Sequence, residues 1–83
     1  MNKSEAVKVT IADRNFRIKS NSDNHAERIK SVAQYVDAKF QEIAKERPTL
    51  SYVDTMTLVA MNLCEELFTE KLKHELQQSV AFK

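Results

Sequence analysis

The 83-residue sequence contains no glycine, no tryptophan, one proline and one cysteine. Without glycine, the loops that cradle phosphates and the dinucleotide fingerprints are excluded. The scarcity of both turn formers predicts long regular elements joined by few tight turns. The single cysteine, Cys64, has no intramolecular partner for a disulfide, which points to a reducing compartment. No run of about 18 apolar residues is present to span a bilayer, and residues 1–8 lack the apolar core of a secretory leader. Thirteen basic and twelve acidic residues leave a net charge of +1, so no global field favours nucleic acid or anionic lipid. These absences predict a cytoplasmic protein with no direct membrane insertion.

Catalytic groups are equally scarce. His25 and His74 are the only histidines. His74 with Glu70 one turn earlier, and Glu66 before that, has metal-ligand spacing but lacks further ligands, so a solvated helix face is the reading that fits. Cys64 has no nearby base to make it a nucleophile; beside Ala60 and Leu67 it reads as a small buried hydrophobe. No constellation supports catalysis, a metal site or a cofactor. The sequence predicts a protein that is not an enzyme.

What is present is pattern. In VKVTIADRNFRIK, residues 7–19, Val7, Val9, Ile11, Phe16 and Ile18 alternate with polar positions on both sides of a turn placed at 12–15. This is the period of a half-buried hairpin, with Asp13 and Asn15 as the residues that tolerate positive φ. Such a hairpin is marginal alone and must pack on a helix. Residues 20–24 supply N-cap oxygens, and Ile29, Val32, Ala33, Val36, Phe40 and Ile43 then recur at helical spacing. Pro48 ends this helix by disfavouring a helical conformation at Arg47. Ser51 and Asp54 form a capping box for a second helix running to about Phe82. At 1.5 Å per residue that helix is about 45 Å long, which predicts that it projects beyond the body its first half packs on.

The second helix has two apolar faces. Tyr52, Val53, Met56, Val59, Ala60, Leu63, Cys64 and Leu67 share one side, read as facing the chain's own core. Leu58, Met61, Phe68, Leu72, Leu76 and Val80 lie opposite. With Glu65 the first four are spaced 3-4-3-4, the seam of a short coiled coil, and the later steps of four make it drift from a strict heptad. Either this stripe covers another element of the same chain, or it is the surface through which copies associate. With only a hairpin and one other helix available, association is the better reading, and a homodimer is expected. The fold class is therefore α+β: an N-terminal β-hairpin packed on two α-helices, the second long and projecting as a coiled-coil oligomerisation helix. The organisation is one domain, 1–83, with a head at 7–50 and the oligomerisation helix at 51–82.

Arg14, Arg17 and Lys19, with Arg28 and Lys30, make a loose basic patch. It is either ordinary surface charge or an electrostatic docking site for an acidic protein, with Arg14 and Arg17 as the contact residues. A small dimeric module binding nucleic acid through the same patch is the alternative. It is disfavoured because no aromatic platform stands out and neighbouring acids cancel the field.

The hairpin segment VTIADRNFRI resembles the ZapA family of bacterial cell-division proteins, whose hairpin runs apolar-x-Ile-x-Gly-Arg-x-aromatic-x-apolar. TLVAMNLCEEL, residues 57–67, resembles that family's second-helix motif, with an Ala-x-Asn-apolar core and a following Glu-Leu. The intervening VAQYVDAKFQEI fits its pattern of apolar and charged positions. The resemblance covers residues 7–72. It implies a small α+β head, a protruding C-terminal helix, and dimers that can pair into antiparallel tetramers. It also implies a role at the division site: binding the tubulin-like GTPase FtsZ and cross-linking its filaments. Arg14 falls on the family's hairpin arginine, and the resemblance implies partner contact there. Asn62 falls on the helix asparagine, on a polar flank with Thr55, Glu66 and Thr69. Asp13 stands where the family has a turn glycine, and the C-terminal helix is short compared with longer members, leaving less seam for tetramers.

Overall fold

A computed structural model describes residues 6–81, with side chains as far as His74. The order is β1 (Ala6–Ile11), β2 (Arg14–Lys19), α1 (Asp23–Glu46) and α2 (Tyr52–Ala81). This is the expected α+β arrangement of a hairpin followed by two helices, the second long. The chain divides at Leu50 and Ser51 into two compact units.

In the first unit, β1 and β2 pair antiparallel, with Val7 opposite Ile18, Val9 opposite Phe16, and Ile11 opposite Arg14. Opposed residues share a face, so the alternation read from the sequence selects the correct register. The turn is shorter than expected. It has two residues, Ala12 and Asp13, both at positive φ (54° and 65°), while Asn15 is in the strand. Two central residues at positive φ define the turn whose twist matches a two-residue hairpin. Alanine rarely occupies this region, and Ala12 does so with a fully buried side chain.

The helix α1 explains how that conformation is held. Its Asp37 carboxylate accepts the Ala12 backbone N–H at 2.8 Å, and Gln41 Nε2 donates to Asp13 Oδ1 at 3.3 Å. Gln41 also reaches Asp37 Oδ1 at 3.4 Å, so the three side chains form one network over the turn. Below it, Val7, Val9 and Ala33 are buried together, with Ile11, Ala26 and Ile29 packed against them. α1 thus rests on β1. Val32, placed by spacing on the inward stripe, is exposed; the buried positions of α1 are Ala33 and Phe40. Val32 lies about 100° round the helix from Ala33, which puts it at the margin of the packed stripe.

Both helix starts are capped. Ser22 Oγ accepts from His25 N–H at 3.2 Å, and His25 Nδ1 accepts from Asn21 N–H at 2.9 Å. Histidine stands three residues after the cap, where a capping box has glutamate, but the N–H it accepts belongs to Asn21, the residue before the cap, so the exchange is not reciprocal. At the other end, Arg47 leaves the helix at φ −130°, ψ 73° immediately before Pro48, as the steric restriction on a pre-proline residue requires.

The second unit is α2. Ser51 Oγ accepts the Asp54 N–H at 3.0 Å, the expected N-cap bond. Thr55, Thr57 and Thr69 each donate to the carbonyl four residues earlier at 2.9 Å. This satisfies the hydroxyl of Thr55, which is buried. Within α2, Thr55 and Val59 are buried, and Met56, Leu58, Leu63 and Glu66 are half-buried. Among the described residues, no helix is long and apolar enough to cross a membrane.

Candidate functional site: a two-faced hairpin and an apolar helix surface

The register separates the two arginines that the sequence grouped together. Arg14 is on the face of the hairpin that carries Val9, Phe16 and Ile18. Arg17 is three positions away, which in a strand means the opposite face. There it stands directly across from Lys8, with Lys19 two residues along on the same face. Thr10 and Asn15 complete this outward surface, joined by a 2.8 Å hydrogen bond from Thr10 Oγ1 to Asn15 Oδ1. All five side chains are exposed, and no acidic residue shares the face between residues 6 and 19. Like charges directly opposite each other destabilise an antiparallel pair, so Lys8 and Arg17 form a cationic spot held against its own repulsion.

The rest of the sequence-level patch disperses. Lys30 pairs with Glu27 at 3.5 Å on the exposed surface of α1. Both line an open groove of about 390 Å³ beside β1, whose floor is Val9 and Ala33. Its cationic side is therefore already matched to a carboxylate. Arg28 is exposed on α1, and the hairpin itself carries Arg17 and Lys19, joined by Lys8, on one face and Arg14 on the other.

On α2, Met61, Phe68 and Leu72 are exposed, at 64%, 66% and 56%. Leu58, assigned to the same stripe, is half-buried. Leu76 and Val80 lie on α2, with side chains outside the described residues. The other stripe departs further from expectation. Val53, Ala60, Cys64 and Leu67, read as inward-facing, are all exposed. Thr55 and Glu66 are less exposed than any of these. At 100° per residue, Cys64 falls between Leu67 on one side and Phe68 and Met61 on the other. The exposed apolar surface of α2 is thus one broad band centred near Cys64. Its apolar residues encircle the helix, so spacing alone could not show where this band would centre. No sequence signal marked Thr55 as the buried threonine: Thr57 and Thr69 make the same bond to the carbonyl four residues earlier and are exposed.

Among the described residues, no three His, Cys, Asp or Glu side chains converge as a metal site. The site that remains is a pair of surfaces, one cationic on the hairpin and one apolar on α2. Surfaces of these kinds bind proteins: the first steers and orients, the second buries area.

No curated protein and no solved structure shows significant similarity to the chain. A family model described as cell division protein ZapA matches residues 7–82, nearly the whole length. The resemblance read over residues 7–72 is thereby extended to residue 82, and the chain belongs to the ZapA family of cell-division proteins.

Proposed function

We propose that this protein is a non-enzymatic adaptor at the division site that binds FtsZ filaments and cross-links them as a homo-oligomer. The observation that carries the reading is the exposed apolar band of α2, in a chain of the ZapA family. A monomer leaving Met61, Leu67, Phe68 and Leu72 in water is incomplete. Joining two chains along Leu58, Met61, Phe68 and Leu72, continuing through Leu76 and Val80, covers the Met61, Phe68 and Leu72 side of that surface and yields a particle with two heads. Two heads give valence two. Once one head is bound, the second engages its filament at a high effective concentration, so avidity exceeds either contact alone. Tetramers would follow from pairing of such dimers.

The contact with the filament is assigned to the hairpin. Lys8, Arg17 and Lys19 provide a cationic face that an acidic surface would neutralise, relieving the Lys8–Arg17 repulsion. Arg14, on the other face, lies beside the turn at the tip of the hairpin. No cofactor, nucleotide or metal is used by the adaptor itself.

The test is co-sedimentation with assembled FtsZ from the same organism, paired with electron microscopy of the filaments. The intact chain is expected to pellet with filaments and draw them into bundles. Phe68→Glu together with Leu72→Glu should retain binding but lose bundling. Bundling that survives while sedimentation shows monomers would sink the bridging mechanism.

A further inference from the structure

Among the described residues the sheet has two strands, so β1 is paired on one edge only. The Ile11–Arg14 pair closes the turn. Alternation along the ladder then points the N–H and C=O groups of Lys8 and Thr10 away from β2. The open groove of about 390 Å³ lies along this edge, lined by Val9 and Thr10 of β1 and by residues of α1. Thr10 gives its hydroxyl to Asn15 on the outward face, so it borders the groove through its main chain. Glu27, Ser31 and Gln34, successive turns of one helix stripe, form the facing wall. We propose that this edge and groove bind a segment of another protein as an added strand: an extended peptide in which small apolar residues alternate with acidic ones.

The main chain of such a peptide matches the free donors and acceptors of the β1 edge. In an antiparallel addition, the residue opposite Lys8 exchanges both backbone bonds with it. The next residue, opposite Val9, sits at a non-hydrogen-bonded position, where opposed side chains are closest. Its side chain enters the groove. The floor there is Val9 and Ala33, both buried. The two charges of the wall, Lys30 and Glu27, are paired with each other at 3.5 Å. An apolar floor under a neutralised rim suits a small apolar side chain such as valine. From Glu27 to Gln34 the wall is about 10 Å long at 1.5 Å per residue, the length of about three residues of extended chain. One inward side chain therefore fills it, flanked by two that point outward.

Those outward neighbours fall opposite Lys8 and Thr10. Lys8 already faces Arg17 across the hairpin, with Lys19 beyond, and no acidic residue between 6 and 19 shares that face. A carboxylate opposite Lys8 is the charge complement, since opposite charges directly across a strand pair attract. The same rule disfavours a second copy of the chain, whose strands carry Lys8, Arg17 and Lys19 on that face and offer no carboxylate. A lysine on an edge strand is a usual defence against indiscriminate pairing. Here it becomes a selector, admitting the strand that brings the opposite charge.

This contact needs neither filament nor oligomer, so failure of its test leaves the adaptor reading as it stands. The experiment measures fluorescence anisotropy of a short dye-labelled peptide alternating valine and glutamate, titrated with the full chain. Binding is expected, weakening as salt rises. The same residues in block order, and a valine–lysine peptide, should bind several-fold more weakly. N-methylation separates strand addition from charge attraction alone. The glutamate N–H groups face Lys8 and Thr10, so methylating them should abolish binding, whereas methylating the valines should leave it. Lys8→Glu should weaken the glutamate peptide and strengthen the lysine peptide. Ser31→Trp, at an exposed position of α1, should close the groove and prevent binding in a chain that circular dichroism shows to be folded. The peptide and Lys8 arms keep the test valid if that variant unfolds. Failure of the alternating peptide to bind overturns the proposal. So do equal binding of the block peptide, equal loss from either N-methylation, or binding that a folded Ser31→Trp chain retains.

Discussion

The backbone N–H of Ala12 lies 2.8 Å from Asp37 Oδ1, 25 residues away in sequence. That single bond ties the tip of the hairpin to the middle of α1 and holds an alanine at φ 54°. It fixes the hairpin turn against α1 within the first unit. Position 37 is thus a structural determinant of the turn that closes the hairpin.

Removing the acceptor should loosen the head. Asp37→Ala leaves the Ala12 N–H without its partner, and an unmatched part-buried donor costs about 1–3 kcal/mol. Asp37→Asn keeps an oxygen at the same place and should lose less. Thermal unfolding of the two variants decides the point; equal losses would mean that the side chain's charge, not its hydrogen bond, is what matters.

Asp13 occupies φ 65°, at the position where the resemblance of the hairpin to its family implies a glycine. A left-handed conformation costs an L-residue roughly 1–2 kcal/mol, offset here by the exposed bond from Gln41. Asp13→Gly should therefore leave stability unchanged or raise it by up to about 1 kcal/mol. A clear loss in a chemical denaturation curve would show that the Gln41 bond is stronger than its exposure suggests.

Lys8 and Arg17 permit a prediction with opposite signs. Arg17→Glu converts a repulsive cross-strand pair into an attractive one, so the hairpin should hold or gain by a few tenths of a kcal/mol. Binding to FtsZ should fall, and the wild-type affinity should weaken as salt rises. A merely structural arginine would instead lose both stability and binding, which melting and co-sedimentation measured together would reveal.

Cys64 reports on the α2 band. It is exposed beside Leu67 and Phe68, so a maleimide should label it readily in dilute protein and slowly in the oligomer. Phe68→Glu should restore fast labelling at every concentration. Labelling that ignores concentration would move the oligomer interface elsewhere.

Much of this was legible in advance, for identifiable reasons. The faces of the hairpin follow from a period of two, and Val9 opposite Phe16 needed nothing more. The break at Arg47 and the cap at Ser51 follow from proline sterics and a hydroxyl in place. The two-residue turn was hidden, because alanine carries no signal for positive φ; the bond to Asp37 selects it, and that contact is remote in sequence. The separation of Arg14 from Arg17 was available from parity alone, since three positions along a strand reverse the face. On α2 the limit was different. A helix with apolar residues all round does not say which of them stay in water, and Cys64 and Leu67 were placed on the wrong side for that reason.

Pairing of copies through the exposed band on α2, as proposed, would have a consequence for how the protein behaves in a cell. A chain whose apolar surface is completed by another copy is stabilised by mass action, so its melting temperature rises with its own concentration. Copy number then sets the folded fraction as well as the number of molecules. As the chain becomes scarce, each remaining copy is also more easily unfolded and cleared. If the α2 band is completed by a second copy, as proposed, loss of the chain on dilution would be steeper than proportional, and abundance itself would control when such oligomers form.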